Sequence, residues 1–315
     1  MILLALLAEA LSASTPPALT FPVVCRLGEE CAVQNYVDDD PGASVKDFAC
    51  GERSYDRHDG TDIRLTSMVR ERAGVAVVAA AAGTVLRMRD GMVDISVRER
   101  PFAAGQDCGN GVVVDHGGGW ETQYCHMARG SIVVRPGQAL KAGTPIGRVG
   151  LSGNTEFPHL HITVRQGGKV VDPFAWGAAP GQCRGGRSLW ATAVPYRAGE
   201  VLVTGFSAGP VSLAQAQEQG DLAGERPGTA TPIVAYVQAI GLEGGDVQRL
   251  TLTGPDGAVL ATNEAAPLDR AKSQYILFAG RKPLPRGWTR GTYRGDYSVA
   301  RAGRVVLTRT FQFAL

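Results

Sequence analysis

The sequence predicts an all-β chain, a small antiparallel β core followed by an immunoglobulin-like β-sandwich. Three observations carry that expectation. Its 41 Gly and 18 Pro recur along 315 residues, and such punctuation favours short strands joined by turns. Apolar residues in the β-prone runs alternate with period two, and long runs with helical spacing are few. Around 173–187 the composition shifts to Ala, Gly, Pro and Arg, as at a domain boundary, so residues 20–185 and 190–315 are expected to form separate units.

Residues 1–13 are expected to be a signal peptide: an apolar run ends in small residues with a cleavage site near Ala13, although no Lys or Arg precedes Arg26 and Glu9 interrupts the run. The expected location is periplasmic or secreted. No other run approaches the roughly 20 apolar residues of a membrane span, so no stable membrane span is expected. Six cysteines, none in a C-x-x-C pair, suit an oxidising compartment and argue against a zinc–thiolate site. Cys108 and Cys125 flank a predicted hairpin and are candidates for a bridge across it. Cys25 with Cys31 and Cys50 with Cys183 would complete one of the many pairings that six cysteines allow, and the sequence does not choose among them.

Residues 21–51 read as an irregular, disulfide-tied leading segment, whose Asp38, Asp39 and Asp40 lack the alternating ligands and distal Glu of a calcium loop. Residues 75–79 and 83–89 read as two strands around a small-residue turn, with a helix over 68–82 as the alternative. The runs 110–116 and 120–126 flank Gly117, Gly118 and Gly119, a strong hairpin signal. Tyr124 and His126, two apart, are expected to share a face of its second strand. The β-prone pattern continues through 131–137 and 141–147. A loop at 151–155 then leads into 157–164, where Ile, Thr and Val favour a strand and His159 and His161 leave the same face. Beyond the boundary, runs at 200–204, 233–239, 249–253, 258–261, 275–278, 291–299 and 304–313 suggest about seven strands of a sandwich. Residues 209–227 read as a polar loop or short helix. No catalytic constellation is visible in this half.

Lys plus Arg number 32 against 30 Asp plus Glu, a formal charge of +2. That balance gives no basic stripe, so nucleic acid is not an expected partner. Three of the five histidines fall in two segments, 55–62 and 157–164. A catalytic zinc takes three N/O protein ligands and keeps one open position. His58, Asp62 and His161 supply such a set, and its single carboxylate leaves net positive charge to polarise water and a carbonyl. His126 and His159 remain on neighbouring predicted strands. Imidazole titrates near neutrality, so either can take a proton from water or hold a developing oxyanion. His116 reads as a turn histidine at the hairpin edge.

The runs His58-Asp-Gly-Thr-Asp62, Gly109-Asn-Gly-Val-Val-Val-Asp-His-Gly117, Tyr124-Cys-His126, Val134 to Gly147 and Gly153-Asn-Thr-Glu-Phe-Pro-His-Leu-His161 occur in this order. Together they resemble the lysostaphin/LytM-type zinc metalloendopeptidases over about residues 55 to 175. The resemblance implies a small antiparallel β core with its site in a groove, one Zn2+ per chain held by His58, Asp62 and His161, and His126 and His159 as the catalytic pair. Peptidoglycan peptides are the implied substrate. Residues 20–185 are thus expected to be the zinc metallopeptidase domain, and 190–315 an accessory domain for a wall or protein partner. Two departures stand out: Met127 replaces a common Leu, and Asn154-Thr-Glu-Phe157 replaces a Ser-Thr-Gly type of loop, which would reshape the groove rim. Some relatives hold an N-terminal segment over the zinc, and Asn35 is the residue that could ligate as such a plug. The alternative is a non-catalytic regulator of another wall hydrolase; five filled positions favour the enzyme.

Overall fold

The computed structural model describes residues 15–283 and 285–315; the expected signal peptide at 1–13 lies outside the described residues. In the first half the strands are β1 (Cys31–Asn35), β2 (Thr61–Leu65), β3 (Ala76–Val78), β4 (Gly83–Arg89), β5 (Asn110–Gly117), β6 (Trp120–Met127), β7 (Ala139–Leu140), β8 (Pro145–Arg148), β9 (His159–Gln166) and β10 (Lys169–Val171). One antiparallel sheet runs in the order β1-β2-β9-β6-β5-β4-β7 with β10 beside β9, and β3 and β8 form a separate ribbon. The period-two pattern sends Ile63, Leu65, Val112, Val114, Tyr124, Leu160, Ile162 and Val164 into one core. The other face of the central strands is left to polar side chains. The β2–β9 register sets Asp62 opposite His161 and Arg64 opposite His159.

The stretch 68–82 holds both alternatives. A short helix, α1 (Met68–Ala73), stops at Gly74, whose φ of 84° places it in the left-handed conformation that ends helices, and β3 follows. The leading segment is not wholly irregular, because it contributes the edge strand β1. A bulge between Val33 and Asn35 brings Asn35 opposite Asp62. The run 131–137 forms no strand and is tied to the ribbon by Val133 N–H donating to the Ile146 carbonyl. Disulfides join Cys25 to Cys31, Cys50 to Cys183 and Cys108 to Cys125.

The second half holds β11 (Glu200–Ser207), β12 (Ile233–Leu242), β13 (Val247–Thr253), β14 (Val259–Glu264), β15 (Lys272–Arg281), β16 (Thr292–Arg301) and β17 (Arg304–Ala314). They form antiparallel sheets β11-β12-β15 and β14-β13-β16-β17. Ile233, Val237 and Leu277 from one sheet share a core with Leu250, Leu252, Tyr297 and Val299 from the other, the layering of a two-sheet sandwich. The polar stretch 209–227 contains α2 (Leu213–Gln219), started by a capping box between Ser212 and Gln215. This half packs on the first through a small apolar cluster, in which Ala32 meets Leu202, Val203 and Ala216. Among the described residues no helix is long and apolar enough to cross a membrane.

Candidate metal centre

β2 and β9 lie side by side, so residues that are 99 apart in the chain meet: His161 Nδ1 is 2.9 Å from Asp62 Oδ1. His58, from the turn before β2, places Nε2 3.2 Å from Asp62 Oδ1 and 3.2 Å from His161 Nδ1. Gly60 permits this approach, because a Cβ there would meet His161 Nε2 at 2.5 Å and the Ile162 carbonyl at 2.8 Å. Four ligand atoms about 2.0–2.2 Å from an ion in tetrahedral array sit roughly 3.3 Å apart. The three observed separations match that spacing.

The hydrogen bonds behind the cluster fix which atoms face it. His58 Nδ1 lies 2.6 Å from the Tyr36 carbonyl, which can only accept, so Nδ1 carries the proton and Nε2 presents a lone pair. His161 donates Nε2–H to Thr163 Oγ1 at 3.0 Å and to Asp59 Oδ1 at 3.2 Å, which aims Nδ1 at the cluster. Asn35 Nδ2 donates to Asp62 Oδ2 at 2.8 Å, leaving Oδ1 to face the histidines. Two imidazole lone pairs and a carboxylate oxygen converge on one point, a donor set that fits a cation. Burial opposes charge at Asp62, yet the imidazoles of His58, His159 and His161 hold its carboxyl well below the usual carboxylate range. Burial likewise opposes charge on His161, but the carboxylates of Asp59 and Asp62 outweigh it and push it up to about 9.

His159 shares the face of His161, as expected, with Nε2 3.4 Å from Asp62 Oδ1. Its Nδ1 is 3.0 Å from the Phe157 carbonyl and 3.0 Å from Thr155 Oγ1, so the proton resides on Nδ1 and Nε2 is bare. The rings of His126 and His159 lie 4.6 Å apart. His126 reaches this place by a route that alternation does not give. Tyr124 points into the core, where its hydroxyl oxygen accepts from Ala80 N–H at 2.7 Å, so the expected shared face of Tyr124 and His126 is wrong. A bulge opposite Gly111 and a φ of 62° at His126 swing its ring to the side of Gln123 and Cys125. His126 N–H donates to the Cys108 carbonyl at 2.8 Å, and Nδ1 donates to the Ser152 carbonyl at 2.8 Å. Burial, followed by the neighbouring His159 and His161, lowers its proton affinity well below the usual imidazole range.

The cluster opens into a cleft of about 250 Å³ whose lining includes Tyr55, Asp59, Gln123, His126, Asn154 and Arg165. All five nominated residues thus come together. His116 stands apart near the turn end of the hairpin, bonded to the Ala82 carbonyl and Thr122 Oγ1. The sequence reading missed Asp59 and Thr163 as partners of His161. The signal for Thr163 was its place two residues beyond His161 on the same strand face, and Asp59 lies inside the His58–Asp62 run.

Comparison with known proteins shows that residues 56–173 match the profile of Peptidase family M23. Over 108 residues the chain is 32% identical to the peptidoglycan DD-endopeptidase ShyB of Vibrio cholerae, covering 34% of this chain and 24% of that protein. Over 106 residues it is 32% identical to the cell division protein DipM of Caulobacter vibrioides, covering 32% of this chain and 16% of the other. The chain spans about a quarter or less of the length of these relatives. The catalytic domain of lysostaphin from Staphylococcus simulans aligns with a TM-score of 0.30 and 20% identity, over 46% of this chain and 89% of that one.

Proposed function

On the premise that residues 56–173 are a Peptidase family M23 domain, we propose that this chain is a zinc-dependent endopeptidase that hydrolyses peptide bonds in peptidoglycan stems or cross-links. The observation that carries this reading is the convergence of His58 Nε2, Asp62 Oδ1 and His161 Nδ1, with each lone pair aimed by a partner behind it. These three atoms would hold Zn2+, and the chemistry it supplies when bound is Lewis-acid polarisation of a water and of the scissile carbonyl. His159 takes the water proton at its bare Nε2, while Thr155 and the Phe157 carbonyl hold its ring from the other side. His126, its Nδ1 proton committed to Ser152, meets the groove as an acceptor. Its ring centroid lies 4.6 Å from that of His159, so the two imidazoles face one site.

Relatives named for peptidoglycan DD-endopeptidase activity support the substrate class, and three disulfides support export to the periplasm or medium. In this reading residues 20–185 are the peptidase unit and 190–315 an accessory unit. The test is to incubate the purified full chain with cross-linked muropeptides, identify products by mass spectrometry, and measure bound metal. One zinc per chain with cleavage at a peptide bond supports the reading. Absence of both would leave a non-catalytic regulator of another hydrolase.

A further inference from the structure

Glu156 and Phe157, the residues that reshape the loop ahead of β9, sit at the junction of the two halves. The Phe157 ring lies between two partners: the Arg64 guanidinium, 4.1 Å from its centroid, and the His159 ring, 4.9 Å away. Its carbonyl also receives the His159 Nδ1 proton. Arg64 stands opposite His159 in the β2–β9 ladder and is only 1% exposed. Among the described residues no carboxylate compensates this buried cation by direct contact, and its Nε has no partner. Such a charge persists only where neutral acceptors are held in place for it.

Two glutamines do this. Arg64 Nη1 donates to Gln34 Oε1 at 3.0 Å and Nη2 to Gln217 Oε1 at 3.5 Å. Each glutamine is tied across the junction: Gln34 Nε2 donates to the Ser273 carbonyl on β15 at 2.9 Å, and Gln217, on α2, donates from Nε2 to the Glu156 carbonyl at 2.7 Å. A continuous set of contacts therefore runs from the accessory half through Arg64 and Phe157 to His159.

We propose that the C-terminal half is a working part of the peptidase site, with Gln217 a positioning residue that acts through Arg64 and Phe157 to hold His159 in its productive orientation. This inference rests on the peptidase reading only for its kinetic consequence. Loss of Gln217 frees Arg64 from one of two acceptors and the loop from its Glu156 anchor, so the Phe157 ring and the His159 tautomer lose their common support.

The test uses the full chain with Gln217→Ala. Glu218→Ala is the control, because it removes the adjacent α1–α2 contact of Glu218 with Arg72 at 2.6 Å, outside the relay. Metal content, kcat and KM on a purified cross-linked muropeptide, and the ¹⁵N-histidine ring spectrum are measured for each. Gln217→Ala is expected to retain metal, to lower kcat about tenfold with KM little changed, and to shift or double the His159 ring signals while those of His116 stay put. Glu218→Ala is expected to leave kcat and the His159 signals as they are. Gln217→Glu, which keeps an acceptor for Arg64, should recover part of the loss. Unchanged His159 signals in Gln217→Ala, or equal effects of the two alanine variants, would overturn the proposal. The ring spectrum reports on His159 whether or not the chain cuts a peptide, so failure of the peptidase reading is distinguishable from failure of the relay.

Discussion

Removing the Cys108–Cys125 bridge should damage both stability and the site, and the two effects can be separated. The bridge closes a loop with a sequence separation of 17. The chain-entropy relation gives about 3 kcal/mol for a loop of that length. The bridge also bears on His126, whose N–H bonds the Cys108 carbonyl and whose φ of 62° is one that few non-glycine residues adopt. A backbone held in that region stores roughly 1–3 kcal/mol, so the peptide has reason to relax once Cys108 is free. Relaxation would carry the imidazole out of the cleft. The variant Cys108→Ser/Cys125→Ser should therefore unfold about 3 kcal/mol more easily in guanidinium and lose roughly ten- to a hundredfold in kcat, the cost of a misplacement near 1 Å. Cys25→Ser/Cys31→Ser is the comparison, since its separation of 6 predicts a loss of about 2 kcal/mol without contact with His126. Equal kcat in the two double variants after correction for folded fraction would refute the link between the bridge and His126.

Other outcomes follow from single contacts. His159→Ala should retain metal while the rate of peptide cleavage falls by about 10²–10⁴, measured with product analysis and metal content together; full activity would remove His159 from the mechanism. Asn35→Ala deprives Asp62 Oδ2 of its donor and should weaken metal binding by roughly 10- to 100-fold in a chelator competition, whereas a plug over the metal would make the same variant more active with unchanged affinity. Asp172 is partly buried, its Oδ2 sealed from solvent with no partner among the described residues, and desolvation pushes its carboxyl up to about 7, against about 3.9 when unfolded. Its contribution to stability is thus full below about pH 4 and is lost as pH rises through about 7, on the order of 4 kcal/mol. Asp172→Asn should remove that slope, and parallel stability–pH curves for the two proteins would contradict it.

The histidine row was legible because a strand turns spacing into direction: His159 and His161, two apart in a run of β-formers, could only leave one face. His58 and Asp62 were legible from their spacing around a glycine. The position of His126 was reached for the wrong reason, since a bulge is one extra residue in a ladder and leaves no periodic trace. Asn35 was noticed as a possible plug, but its place behind Asp62 depends on the β1–β2 register. Gln217 carried no signal at all. Its meaning depends on how two separately patterned halves dock, and alternation within each half is silent on that.

The pairing of β2 with β9 has an evolutionary corollary. Asp62 and His161 share one rung, and Arg64 and His159 share another. Chain can be added to the loops of the excursion between these strands, where closure entropy grows only slowly with length, but not within β4, β5 and β6, which belong to the same sheet. Within either strand, however, one inserted or deleted residue would rotate every later side chain by half a turn and send imidazole and carboxylate into the oil of the interior. The same few backbone bonds that make the sheet also keep Asp62, His159 and His161 on one face, so drift in length is confined to the loops and the two strands must change by substitution alone.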